Sequence, residues 1–181
     1  MNTQPHEEEG GLKGAMNKMG DAVGGMVGKA AASTAGGHST PQFLNNAVIG
    51  NMYEIEAAQV ALERCQSEEI RGFARKMIED HTTAGHQMKS ALRMHEAKDV
   101  GDPPMELDDR RRGMVDHLQE AKAEDFDKRY LDQQLAAHDE TATLLRTYME
   151  NGDNPQLRSW AMGSLPVVER HLEMARRLKG H

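Results

Sequence analysis

The chain has 181 residues, a formal charge of −7, one cysteine and few aromatics, namely one Trp, three Tyr and three Phe. That length suits one domain with a buried core. The acidic balance argues against nucleic acid, which calls for a concentrated basic face. Lone Cys65 excludes an internal disulfide framework and a thiolate zinc cage, and no run of about twenty apolar residues is present to span a membrane.

Ala, Leu, Glu, Met, Arg and Lys dominate, and period-2 runs of β-branched residues are absent, so the chain is expected to be all-α. Residues 1–40 carry more than half of the seventeen glycines and read as a flexible glycine-rich leader. Within it Leu12, Met16, Met19, Val23, Met26 and Ala30 form a thin apolar stripe at helical spacing, beside the small-residue run Gly20, Gly24 and Gly28. The alternative is therefore a conditional helix over residues 12–30 that contacts a membrane surface or a protein partner. Glu7-Glu8-Glu9 stand where a secretory signal would be basic, so the chain is expected in the cytoplasm.

From residue 41 the spacing predicts a bundle of four long helices and one short one. Thr40 and Pro41 cap and open a helix to about Arg64. Ser67, followed by Glu68 and Glu69, starts a second to about Ala97, before Gly101-Asp102-Pro103-Pro104. A short helix is expected over 106–122, and its Arg110-Arg111-Arg112 run reads as solvated surface. A fourth helix covers about 125–150 and ends at Gly152, and Asn154-Pro155 opens a fifth to about Lys179. The short connections make two antiparallel hairpins, giving an antiparallel four-helix bundle with one extra short helix and a domain over 41–181. A kink is expected at Pro166.

Each long helix places one polar residue on an apolar stripe. Glu54 lies among Phe43, Ala47, Gly50, Ala57 and Ala61. His81 follows Phe73 and Met77; His138 stands between Leu135 and Ala142; His171 stands between Val168 and Ala175. Counted from the hairpin turns, Glu54 and His81 lie about 18 and 22 Å along their helices, and His138 and His171 lie at similar heights. Four side chains thus reach mid-bundle together. A buried hydrogen-bond network in which Glu54 accepts from the imidazoles would satisfy them. So would a metal, because His3Glu is a workable ligand set for Zn, Fe, Mn or Cu(II). No organic cofactor is expected.

The di-iron ferritin pattern is not met. Ile78, Leu135 and Val168 stand three before the histidines, and no Glu-x-x-His occurs in the chain. Asp80 is a candidate for the edge of the site, while Asp127 and Tyr130 are candidates for support, caps or core rim. Glu169, Glu173, His86, His95 and His117 read as surface residues. No nucleophile elbow marks a hydrolase, and no substrate or reaction is named by the residues.

The chain resembles the bacterial ferritin-like family catalogued as domain of unknown function 4142. The resemblance rests on Phe43-Leu44, Gly50 through Glu54, Phe73-Ala74 with Met77, and Glu79-Asp80-His81. Phe126-Asp127 with Tyr130, Ala137-His138, Leu165-Pro166 and His171-Leu172 continue it in order across about 41–179. It implies a ferritin-like bundle and recurrent Glu and His at Glu54, His81, His138 and His171, but brings no assigned reaction. Many relatives look exported, which makes the periplasm the alternative location; this chain departs from them at its N-terminus. The leading expectation is a metal-binding bundle in metal handling or stress protection. The alternative is a non-enzymatic stress or interaction protein acting through its head, and a homo-oligomer is compatible with either.

Overall fold

A computed structural model describes residues 6–33, 39–93 and 101–180, and these are all-α, with no strand among them. The helices are α1 (His6–Ser33), α2 (Thr40–Arg64), α3 (Glu68–Arg93), α4 (Asp109–Gln119), α5 (Ala123–Asn151) and α6 (Pro155–Gly180). Hairpins α2–α3 and α5–α6 pack side by side, α2 against α5 and α3 against α6, so the four long helices enclose a shared interior. The last residues of the second expected helix, 94–97, lie outside the described residues.

Capping chemistry sets the boundaries, with two shifts from expectation. Ser39, not Thr40, is the N-cap of α2. Thr40 is instead drawn into the buried end of the bundle, where its hydroxyl meets the Tyr148 hydroxyl and Asp153. Helix α4 is shorter than the expected 106–122, because the Asp108 side chain accepts from the Arg111 N–H at 2.7 Å and starts the helix there. Asn154 caps α6 through the Leu157 N–H at 3.0 Å, as its sequence context implied. Asp127 accepts from the backbone N–H groups of Gln66 and Ser67, both at 3.2 Å, so it ties the α2–α3 turn to α5.

Two apolar clusters fill the interior. One holds Tyr53, Ala57, Phe73, Met77, Phe126 and Tyr130; the other holds Phe43, Leu44, Met88, Leu145, Tyr148 and Leu157. On three helices a histidine stands between the residues of one cluster and those of the other: Met77–His81–Met88, Leu131–His138–Ala142 and Val168–His171–Ala175. The polar residues therefore form a layer between two dry ones.

The N-terminal segment differs from the expected flexible leader. Residues 6–33 form α1, which lies on α5 and touches α4. Its glycines, costly in an isolated helix, permit close approach here. A Cβ at Gly25 would stand 3.3 Å from the Ala136 Cβ, and one at Gly28 would overlap the Glu140 carboxylate. Of the expected apolar stripe, Met16, Met19 and Met26 face away from the bundle, exposed at 63, 69 and 66%.

The arginine run is also not a solvated face. Arg111 is 6% exposed and donates to Asp108 at 2.5 Å and to Glu140 at 2.8 Å. Arg110 donates to both Glu140 oxygens at 2.8 and 2.9 Å, while Arg112 reaches outward to Glu56. Glu140, the carboxylate that pairs with both Arg110 and Arg111, is remote in sequence, which is why local context suggested solvent.

Candidate metal centre

His81, His138 and His171 project from α3, α5 and α6 into the polar layer and are 8, 1 and 2% exposed. One nitrogen from each ring lies within 4.8 Å of the others. The ring centroids are 5.3 to 5.7 Å apart.

The surrounding acceptors fix which nitrogens face inward. His138 Nδ1 donates to the Gln134 carbonyl at 2.9 Å, with Glu54 Oε1 3.5 Å away. His171 Nε2 donates to Asp80 Oδ2 at 2.8 Å. His81 Nδ1 donates to Asn51 Oδ1 at 3.0 Å, and its Nε2 is buried without a hydrogen-bond partner among the described residues. A neutral imidazole carries one N–H, so each ring has spent its proton outward. What remains is three lone pairs: Nε2 of His81, Nε2 of His138 and Nδ1 of His171.

With all three rings neutral, these lone pairs face one another. His138 Nε2 and His171 Nδ1 are 3.3 Å apart. Two ligands at M–N distances of 2.0–2.1 Å in a tetrahedron are separated by about 3.3 Å, so this pair already has the spacing of a coordination edge. Each imidazole is also backed by an oxygen acceptor, the arrangement that orients metal-binding histidines.

The electrostatics resist charging His81 and His171. Burial pushes His81 well below its ordinary range, and His138 and His171 push the same way. Burial, followed by His138, brings His171 down to about 4, against the opposing hydrogen bond to Asp80. Burial raises the Glu54 carboxyl, although His138, the Gln134 side chain and Arg111 oppose it. At Asp80 burial also raises, but the hydrogen bonds from Lys76 and His171 outweigh it and leave the group low.

Of the four residues expected at the centre, three meet and one stands behind. Glu54 is 2% exposed, but its carboxylate sits beside the outward nitrogen of His138 and accepts from Gln134 Nε2 at 2.7 Å. Asp80, read from sequence only as an edge candidate, touches His171 directly. Sequence reasoning missed Asn51 and Gln134. Asn51 is one turn before Glu54, and Gln134 is one turn before His138, so helical neighbourhood to the chosen residues was the available signal.

The remaining candidates lie elsewhere. Tyr130 is buried between Phe73 and Phe126, and its hydroxyl has no hydrogen-bond partner among the described residues. Glu169 pairs with Arg146 at 2.6 Å on the surface; Glu173 and His86 are exposed. His117 is not an isolated surface residue, since its Nδ1 meets Asp21 of α1 at 2.7 Å. His95 lies outside the described residues. Helix α6 runs through Pro166 without interruption.

Among solved structures, the chain is similar to "CopM in the Cu(II)-bound form", with a TM-score of 0.63 and 16% identity over 78% of this chain and 96% of that one. At that identity the likeness shows a shared fold. No curated protein matches the sequence. No described helix is long and apolar enough to cross a membrane. A family model matches residues 25–178, beginning inside α1 and so earlier than the expected domain start at 41, and the chain belongs to that family, the domain of unknown function DUF4142.

Proposed function

We propose that the protein binds one divalent transition metal through His81 Nε2, His138 Nε2 and His171 Nδ1 and serves in metal handling. The observation that carries this reading is the convergence of three buried imidazole lone pairs whose N–H groups are all committed outward. A buried cluster of acceptors with no donor is costly, and a cation at their centre removes that cost. Glu54 and Asp80 place two carboxylates behind the rings, matching a dication in charge. Glu54 acts here as an orienting group for His138 rather than as a ligand.

Three imidazoles without a thiolate suit Cu(II) or Zn(II), and Cu(II) stands highest among divalent ions for nitrogen donors. The Cu(II)-bound state of CopM, which shares the fold, supports the same choice. The experiment is elemental analysis of untagged protein purified without chelator, beside the His81→Ala/His138→Ala double variant. About one Cu or Zn per chain, lost in the variant, is the expected result. A well-folded wild type that stays metal-free when offered Cu(II) and Zn(II) overturns the reading.

One observation favours a second role. The exposed Met16, Met19 and Met26 form an outward apolar stripe on α1, which fits an interaction protein working through its head. Deletion of α1 should then abolish the cellular phenotype while leaving metal content unchanged.

A further inference from the structure

We propose that α1 is a displaceable cover that gates exchange at the metal centre by sealing the polar flank behind Glu54 and His138. The inference rests on the metal reading above and adds a control to that same site.

The first argument is what α1 lacks. None of its described side chains belongs to either apolar cluster, and its methionines point to solvent. Lifting α1 therefore removes no described α1 side chain from either cluster. Its attachment is polar: Lys13–Glu120 and Lys29–Asp139 at the rim, both 2.7 Å, the Arg129 guanidinium donating to the Gly14 carbonyl at 2.9 Å, and the half-buried Asp21 meeting His117 and Gln133, both at 2.7 Å. Exposed ion pairs are individually weak and screened by salt. A helix held this way can leave without unfolding the bundle.

The second argument is what lies beneath it. Arg110 donates to the Gly24 carbonyl at 3.3 Å, and Gly28 sits directly against the Glu140 carboxylate. Arg110, Arg111 and Glu140 form one wall of a cavity of about 10 Å³ that has Glu54 on another. That volume is close to the space of one water. Nearby, Asp21 accepts from Gln133 Nε2 at 2.7 Å, and Gln133 Oε1 accepts from the Tyr53 hydroxyl at 2.9 Å. The neighbours of those two residues, Gln134 and Glu54, are themselves hydrogen-bonded behind His138. Docked α1 thus covers Arg110 and Glu140, two residues that wall the cavity reaching Glu54, and braces the helices that carry Gln134 and Glu54. Undocked, it leaves Glu140 and Arg110 open to solvent.

The opposite approach to the centre is already guarded. Asp80 is held between His171 and Lys76, whose ammonium is 2.7 Å from Oδ1. On that flank the group behind the ring is held by a side chain of the bundle's own α3, whereas on the other it is covered by a separate helix, so the α1 side is the flank that a reversible motion can open.

The test is a reversible staple. Gly25 and Ala136 stand with Cβ positions 3.3 Å apart, within a few tenths of an ångström of the usual disulfide separation. Full-length Gly25→Cys/Ala136→Cys protein is loaded with Co(II) and challenged with excess EDTA, following the Co(II) absorbance, with and without a phosphine reductant. The expected result is extraction at least tenfold slower in the oxidised form than in the reduced form. Gly28→Leu, which forces α1 off Glu140, should accelerate extraction tenfold or more over wild type and tests the same cover without any disulfide. Equal rates in oxidised and reduced protein, or an unchanged rate in Gly28→Leu, overturn the cover while leaving the metal reading intact. A wild type that takes up no Co(II) overturns both.

Discussion

His138 Nε2 and His171 Nδ1 face each other at 3.3 Å with both of their N–H groups turned away, toward the Gln134 carbonyl and Asp80. Two lone pairs at that distance repel unless a cation lies between them. The relationship is produced by residues on two helices, by a carbonyl one turn back on α5 and by Asp80 on α3, so its consequences can be probed from several sides.

Metal addition should stabilise the fold. An ion that binds the native state alone adds about 2.7 kcal/mol at a free concentration one hundred times its Kd. Thermal unfolding of metal-free protein with and without Cu(II) or Zn(II) should show the rise, reversed by chelator and absent from His81→Ala/His138→Ala. Equal midpoints would contradict it.

Asp80→Asn should weaken metal binding without loss of fold. The carboxylate holds the His171 N–H and so selects Nδ1 as the inward nitrogen. Loss of such a partner costs about 10–100-fold in affinity. Competition titration against a chromophoric chelator measures this, with circular dichroism confirming an unchanged helix content.

Glu54→Leu should do more damage than Glu54→Gln. Leucine leaves the buried Gln134 amide donor without its acceptor, at about 1–3 kcal/mol. Glutamine retains an acceptor oxygen. Urea unfolding of the metal-free forms should rank the wild type and Glu54→Gln above Glu54→Leu.

Acid should destabilise the metal-free protein. His81 and His171 are held below the ordinary histidine range, His171 at about 4, so the unfolded chain binds more protons than the native one below about pH 6.5. Stability falls as pH drops from there toward 4, by on the order of 3 kcal/mol for His171 alone. Glu54, raised by burial, acts oppositely: its contribution is present at low pH and is lost as pH rises through its folded value. Unfolding midpoints at pH 7 and pH 5 should differ in the stated direction, and by less in His171→Gln.

Glu140→Leu should be the most destabilising of these changes. Glu140 neutralises Arg111, buried at 6% exposure, and Arg110 above it. A buried charge left without its partner costs about 3–5 kcal/mol. Differential scanning calorimetry should register the loss, and retention of the wild-type midpoint would show that Arg111 escapes to water.

The sequence by itself determined the helices and the polar layer. Period-3.6 stripes and proline and asparagine punctuation are local properties, so α2, α3, α5 and α6 were legible within a few residues. The interruption of each stripe by Glu54, His81, His138 or His171 was legible for the same reason. Only the tertiary structure decided which nitrogen of His81 and His171 faces inward, because Asn51 and Asp80 act across the packed layer. Periodicity gives the side of a helix and not the depth of a side chain, so it could not place Glu54 behind His138 instead of beside it. It offered α1 only as the alternative, a conditional helix over residues 12–30, and not its docking on α5. Glycine lowers helix propensity in isolation, and only the close approach to Ala136 and Glu140 makes Gly25 and Gly28 assets to a docked helix.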